Sequence, residues 1–328
     1  MYEAFYGLKE RPFDLTTNPR FLFLTARHRE ALSNLQYGIT SHKGITLLLG
    51  EAGTGKSTLV RTVLDRQRSD DVKTIYLSNP TLTRPEFFEF MAFELGLNGE
   101  IARSKTLLLR ELNDLVLQRH RSGGTTALII DEAQSLPPEL LEEVRLLANV
   151  ETASEKLLPV VLIGQPELAE RLNHPAWRQM KQRIGLRCSL EPLDLRETAA
   201  YITKRIRIAG GDSGAIFLRD AVIAVYERSG GIPRTINVIC DNALVSGFAL
   251  DQRPVGPDII QEVAKDFDLD GHVGRPVAER PVARAAGTAL PMRPPPDEVD
   301  EPVVAAAAGA ESREYFSFFK RRRRFSFF

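Results

Sequence analysis

The eight residues Gly50-Glu51-Ala52-Gly53-Thr54-Gly55-Lys56-Ser57 constrain this chain more than any other stretch. They read G-x-x-x-x-G-K-S. Before them stands an apolar run, Ile45-Thr46-Leu47-Leu48-Leu49, of the length of a buried strand, and after them Leu59, Val63 and Leu64 recur at helical spacing. Strand, glycine loop, helix is the setting a phosphate-binding loop requires. Gly50, Gly53 and Gly55 let the backbone curl until several N–H groups converge on one anion, and the helix N-terminus adds partial positive charge there. In this reading Lys56 bridges the β- and γ-phosphates of ATP, and the Ser57 hydroxyl ligates Mg²⁺ with Thr58 behind it. Glu51, Ala52 and Thr54 complete the loop.

A second site follows about 75 residues on. Thr126-Ala127-Leu128-Ile129-Ile130 reads as a buried parallel strand that delivers Asp131 and Glu132 at its C-terminal end, where ligands of open α/β sheets bind. Asp131 is the expected Mg²⁺ ligand and Glu132 the expected general base for the attacking water. Further strands are expected at 73–77, 158–163 and 186–190, with helices between them. Five strands of this kind give an α/β fold with a mostly parallel sheet. Gln165, at the end of the fourth strand, is placed by topology beside the γ-phosphate, to position the water or sense the phosphate. Arg178, Lys181, Arg183 and Arg187 follow. Arg183 is the first candidate, and Arg187 the second, for an arginine that reaches the γ-phosphate of a neighbouring subunit.

From residue 194 the pattern is helical only, over 194–209, 218–229, 233–250 and 257–267, a small bundle. Arg234 falls in the first turn after Gly230-Gly231-Ile232-Pro233. A cation there opposes the helix dipole and calls for an anion, which a bound phosphate would supply. In the N-terminal 43 residues, Phe5, Phe13, Phe21 and Phe23 are open to two readings: plain packing, or closure over the adenine base.

Residues 271–328 carry a net charge of +3, against −3 for the rest of the chain. They are rich in Pro, Ala, Gly and Arg without periodicity, which predicts disorder. Their end, with Lys320–Arg324 flanked by phenylalanines, suits an anionic membrane surface, a nucleic acid, a partner protein, or no partner at all. A zero overall charge excludes a global basic field for nucleic acid. No apolar run approaches the ~18 residues of a membrane span. The start lacks a signal-peptide pattern, and Cys188 and Cys240 have no partners at metal spacing. The chain reads as cytoplasmic.

Taken together, these sites resemble those of the AAA+ ATPases. The closer likeness is to the secretion-ATPase group typified by general secretion pathway protein A and the exosortase-associated ATPases. Met1-Tyr2-Glu3-Ala4-Phe5-Tyr6-Gly7-Leu8, Asn18-Pro19-Arg20-Phe21, Gly164-Gln165-Pro166-Glu167-Leu168 and Gln182-Arg183-Ile184 are similar to that group's signatures. The resemblance implies a three-layer αβα core over 44–191 after an N-terminal linker and helix over 1–43. It also implies an all-α lid over 192–267 and a tail over 268–328. It implies Lys56 and Ser57 as Walker A, Asp131 and Glu132 as Walker B, Gln165 as sensor 1, Arg183 as arginine finger and Arg234 as sensor 2. It further implies a ring oligomer that drives a secretion or export machinery at the inner membrane. Members of the general secretion group continue into a membrane helix and a periplasmic domain. Nothing of that kind follows residue 267, which favours the exosortase-associated type. The same core resembles transposition and replication-initiation ATPases, so a DNA-linked regulator is the alternative, with Lys204, Arg205 and Arg207 as its basic cluster.

Overall fold

The computed structural model describes residues 1–16, 18–66, 71–152 and 155–269. The tail with Lys320–Arg324 lies outside the described residues. In chain order the elements are α1 (Glu3–Tyr6), α2 (Ala26–Thr40), β1 (Ile45–Gly50), α3 (Lys56–Arg66), β2 (Val72–Leu77), α4 (Arg84–Leu95), α5 (Gly99–Ala102), α6 (Lys105–Arg121), β3 (Thr125–Ile130), α7 (Pro138–Leu147), β4 (Val160–Gly164), α8 (Pro166–Asn173), α9 (Arg178–Lys181), β5 (Ile184–Leu190), α10 (Leu195–Ile208), α11 (Arg219–Ser229), α12 (Pro233–Ala249) and α13 (Pro257–Asp266).

The five strands form one sheet in the order β2-β3-β4-β1-β5. Every pairing is parallel, where the sequence suggested a mostly parallel sheet. All of β1 and β4 is buried, which explains why these strands read as unbroken apolar runs. Strand residues alternate between the two faces. Leu47, Leu49, Leu128, Ile130 and Leu162 pack with α4, α6, α7 and α8. Leu48, Ile129, Val161 and Ile163 pack with α2 and α3 on the other side. Helix, sheet and helix are thus three layers. The fourth strand begins at Val160 rather than Leu158. Pro159 has no N–H to give, and the first ladder donor is Val160 N–H, to Gly44 O at 2.8 Å.

Parallel pairing brings the C-terminal ends of β1, β3 and β4 to one edge of the sheet. Leu49 lies opposite Gly164, and Ile130 opposite Leu162. The chain reverses its strand order around β1, so a crevice opens at that edge.

Helices α10 to α13 enclose a second core, and the chain enters it twice. Tyr2, Tyr6, Leu8, Phe13 and Phe21 share that core with Ile206, Phe217, Val225, Ile239 and Val263. Phe5 meets Phe248 edge-on at 5.5 Å, and Lys9 N–H donates to Ala209 O at 2.8 Å. Residues 1–43 therefore divide between two bodies. Residues 1–16 and 18–23 run along the helical body, with Tyr2, Tyr6, Leu8, Phe13 and Phe21 in its core. Helix α2, through Ala31, Leu35 and Ile39, packs on the sheet. α10 starts at a capping box: Asp194 accepts from Glu197 N–H at 2.7 Å, and Glu197 accepts from Asp194 N–H at 3.2 Å.

Candidate functional site

The glycine loop leaves β1 at Gly50 and enters α3 at Lys56. It is closed by Thr54 Oγ1, which donates to Glu51 O at 2.8 Å. The Lys56 ammonium is buried and donates to Gly50 O at 2.8 Å and Glu51 O at 3.0 Å. Burial holds its pKa below the usual lysine range, against the pull of Glu132 and Asp131. Carbonyls are weak partners for a buried cation, so the ammonium is ready to exchange them for phosphate oxygens.

Asp131, also buried, lies directly behind the loop. Its Oδ2 accepts from Ser57 Oγ at 2.7 Å and from Tyr76 OH at 2.8 Å, and its Oδ1 accepts from Glu132 N–H at 2.9 Å. A hydroxyl and a carboxylate in contact are the hard oxygen set that Mg²⁺ takes while keeping several waters, so these residues fit that ion. Among the described residues no group of three or more His, Cys, Asp or Glu could hold a metal. Both cysteines are free and buried.

Glu132 follows in left-handed backbone, φ 51°, which lifts its carboxylate out of the strand's line into the crevice. Its Oε2 accepts from Gln134 Nε2 at 2.5 Å and from Gln165 Nε2 at 3.4 Å. Gln165, expected beside the γ-phosphate, thus touches the expected base, at the limit of a hydrogen bond.

The helical body closes the crevice from above. Arg234 N–H donates to Gly53 O at 3.3 Å. A Cβ at Gly53 would stand 2.8 Å from Arg234 Cβ, and its φ of 82° suits glycine alone. The half-open cavity is about 390 Å³, within the range of small-molecule and cofactor pockets. Gly53–Leu59, Glu132, Phe21, Arg205, Arg234 and Asn237 are among its walls. Gly50, Glu51 and Ala52 do not line it; Glu51 serves through its carbonyl. Leu22 and Phe23 also face the cavity, so the aromatic N-terminal segment both packs in the helical core and walls the site.

Arg183 stands elsewhere. Its carbonyl accepts from Ile45 N–H at 3.3 Å, at the N-terminal edge of the sheet. At about 3.3 Å per strand residue this is roughly 17 Å from the glycine loop of the same chain. Arg187 is exposed on β5, in register with Leu47.

Several residues of the site were not singled out in the sequence. Gln134 and Tyr76 hold the two acids. His28 reaches the loop: its Nε2 lies 3.4 Å from Thr54 O and its Nδ1 2.8 Å from Thr25 Oγ1. A carbonyl only accepts, so Nε2 carries the proton and Nδ1 accepts from the threonine. The basic cluster expected to face DNA needs correction. Arg205 is buried, donating to Pro12 O, to Tyr201 OH at 2.7 Å and to Asp14 O at 3.3 Å, with its guanidinium 4.8 Å from the Phe21 ring centre. Lys204 donates to Leu22 O at 2.8 Å. Both cations clasp the N-terminal segment to α10, and only Arg207 of the three makes no such contact. A four-residue period through Tyr201, Arg205 and Ala209 was the signal that Arg205 lies on the inward stripe.

Residues 39–172 match the family model described as AAA domain. The chain is 42% identical over 249 residues to general secretion pathway protein A of Aeromonas hydrophila, a match covering 76% of this chain and 45% of that protein. It is 33% identical over 146 residues to ATP-dependent target DNA activator B of Escherichia phage Mu, covering 44% of this chain and 42% of that protein. The chain thus spans less than half the length of the curated relatives it matches. Among solved structures, Drosophila ORC bound to DNA aligns with a TM-score of 0.60 at 22% identity, covering 78% of this chain and 64% of that one. The Aeropyrum pernix ORC2 protein in ADPNP–ADP complexes aligns with a TM-score of 0.56 at 18% identity, covering 79% and 71%. At such identities the likeness is one of fold.

Proposed function

We propose that the chain is an AAA-type P-loop ATPase that hydrolyses ATP with Mg²⁺ as an oligomer whose cycle drives a secretion or export assembly; the match of residues 39–172 to the AAA domain model supports the reading. The observation that carries the reading is the convergence of Lys56, Ser57, Glu132 and Arg234 on one cavity, with Asp131 bonded to Ser57 from behind. Lys56 releases the loop carbonyls for phosphate oxygens, and Arg234 brings a second cation from the helical body. Ser57 and Asp131 would hold Mg²⁺, which neutralises charge developing on the phosphate oxygens. Glu132 takes the proton of the attacking water. Gln165, which touches Glu132, senses the state of the γ-phosphate. The N-terminal segment and α10 enclose the base. Arg183, roughly a strand's length away from its own glycine loop, acts on the site of a neighbouring copy.

The export role rests on the 42% identity to general secretion pathway protein A. Among the described residues no helix is long and apolar enough to cross a membrane. Contact with an inner membrane is proposed as peripheral on the strength of Lys320–Arg324 as the candidate anchor. A second reading, an ATP-switched DNA-associated regulator, is supported by the likeness to target DNA activator B. The burial of Arg205 and the bond that ties Lys204 to Leu22 O weigh against it.

The test is ATP turnover with anionic liposomes or duplex DNA added separately. Glu132→Gln is expected to bind MgATP and to lose turnover by about 10²–10⁴-fold, the usual worth of a general base. Lys56→Ala is expected to lose binding. Turnover undiminished in Glu132→Gln refutes the assignment of the base. Stimulation by DNA and not by liposomes transfers the function to the second reading.

A further inference from the structure

We propose that Gln134 is a positioning residue for Glu132: its amide N–H grips one carboxylate oxygen of the base, and its amide oxygen fixes that grip to the end of β4. The inference rests on the ATPase reading above. Gln134 lies in the short turn Ala133–Ser135 that follows Glu132. Because Glu132 is in left-handed backbone, the residue two places on folds back over its carboxylate.

Gln134 Nε2 donates to Glu132 Oε2 at 2.5 Å, and Gln134 Oε1 accepts from the Gln165 backbone N–H at 3.2 Å. The two partners settle which way the amide points. A carboxylate can only accept and a backbone N–H can only donate, so no flipped amide satisfies both. Both side-chain amides of the site fall on Oε2, and Glu132 Oε1 has no hydrogen-bond partner among the described residues. That leaves Oε1 as the oxygen that faces a water. The short Gln134 bond, rather than the 3.4 Å contact from Gln165, sets the carboxylate's orientation.

The turn is itself held from α8. Arg171 Nη1 donates to Gln134 O at 3.3 Å and to Leu136 O at 2.5 Å, with its guanidinium 5.6 Å from the Trp177 ring centre. Next to Gln165, a Cβ at Gly164 would come within 3.0 Å of Gln134 Oε1 and 2.6 Å of Leu168 Cδ2. The strand end is thus shaped to receive the amide. Gln134 is tied to the β4–α8 segment through its side chain and through its backbone, so any shift of Gln165 is passed to the base.

Two substitutions separate this role from a merely structural one. Gln134→Ala removes both bonds. Gln134→Glu keeps the shape and the acceptor for Gln165 N–H, but sets a like charge against Glu132 in place of the donor. ATP turnover, MgATP affinity and Tm are measured for both and for the unaltered chain. Both variants are expected to lose kcat by about 10- to 100-fold, a share of what a general base supplies, with MgATP affinity unchanged. Full kcat in Gln134→Ala overturns the inference. So does full kcat in Gln134→Glu beside a loss in Gln134→Ala, since the role would then be only the tie to β4. Parallel loss of affinity and thermal stability in both overturns it as well. If the unaltered chain itself shows no turnover, the ATPase reading falls and this inference with it. Turnover that both variants retain removes this inference alone.

Discussion

Gly231 sits at the joint between the two bodies, and its replacement by alanine has a cost that the geometry fixes. Its φ is 75°, and a Cβ there would stand 1.9 Å from Leu193 O, where real contacts stay beyond 3.0 Å. The obstacle is backbone and cannot swing aside. It is also held in place, because Leu193 N–H donates to Gly231 O at 2.8 Å. Left-handed backbone costs alanine about 1–2 kcal/mol. Breaking the Leu193 bond to relieve the overlap leaves buried polar groups unpaired, for about 1–3 kcal/mol more. The sum, about 2–5 kcal/mol, lowers Tm by roughly 4–20 °C in a domain of this size. The control is Gly96→Ala. Gly96 has nearly the same φ, 74°, at the end of α4, with nothing within 4 Å of its Cβ. Strain alone predicts about 1–2 kcal/mol there, or roughly 2–8 °C. Melting curves with and without MgATP are the assay. Gly231 precedes Ile232-Pro233-Arg234, the segment that rests on Gly53, so Gly231→Ala is also expected to lose the stabilisation that MgATP gives, whereas Gly96→Ala keeps it. Equal shifts in the two variants would refute the close-approach reasoning.

Two further outcomes follow from the same geometry. Arg183→Ala is expected to bind MgATP and turn over little, and mixing it with Lys56→Ala chains should restore activity, because each supplies what the other lacks; full turnover by Arg183→Ala alone excludes the role in trans, and a loss confined to Arg187→Ala moves it there. Burial holds the His28 pKa below its ordinary 6.5, so below that value the unfolded chain binds the extra proton first. The stability this group contributes is therefore full above about pH 6.5 and is lost as pH falls below it, and the change in Tm between about pH 7.5 and 5.5 should shrink in His28→Gln. An unchanged slope would refute it.

What could be read from the sequence was local or two-faced in its burial. The glycine loop is contiguous, and strands covered on both faces, such as Leu47-Leu48-Leu49 and Leu128-Ile129-Ile130, have nowhere to put a polar residue. The acids at the end of β3 and Gln165 at the end of β4 follow from parallel topology. The grip of Gln134 was hidden because it depends on one left-handed residue, Glu132, and glutamate carries no sign of such a backbone. Charge alone does not mark exposure: the four-residue spacing of Arg205 from Tyr201 and Ala209 puts it on the apolar stripe. The division of residues 1–43 between two bodies was out of reach of any local pattern. Phe13 packs on Phe217 at 6.2 Å, and nothing within a helical or strand window connects them.

That last arrangement bears on how the molecule is made. Tyr2 donates to Asp241, 239 positions later, and shares a core with Val263. A ribosome releases Tyr2, Tyr6, Phe13 and Phe21 first, and they have no native partners until α10 to α13 have emerged. The strands and the glycine loop are complete by then. Closing so long a loop costs only slowly more than closing a short one, but it delays the contacts it creates. During synthesis this aromatic segment therefore waits for partners made much later, and the wall it contributes to the cavity is finished after the glycine loop, though its own residues are made before it.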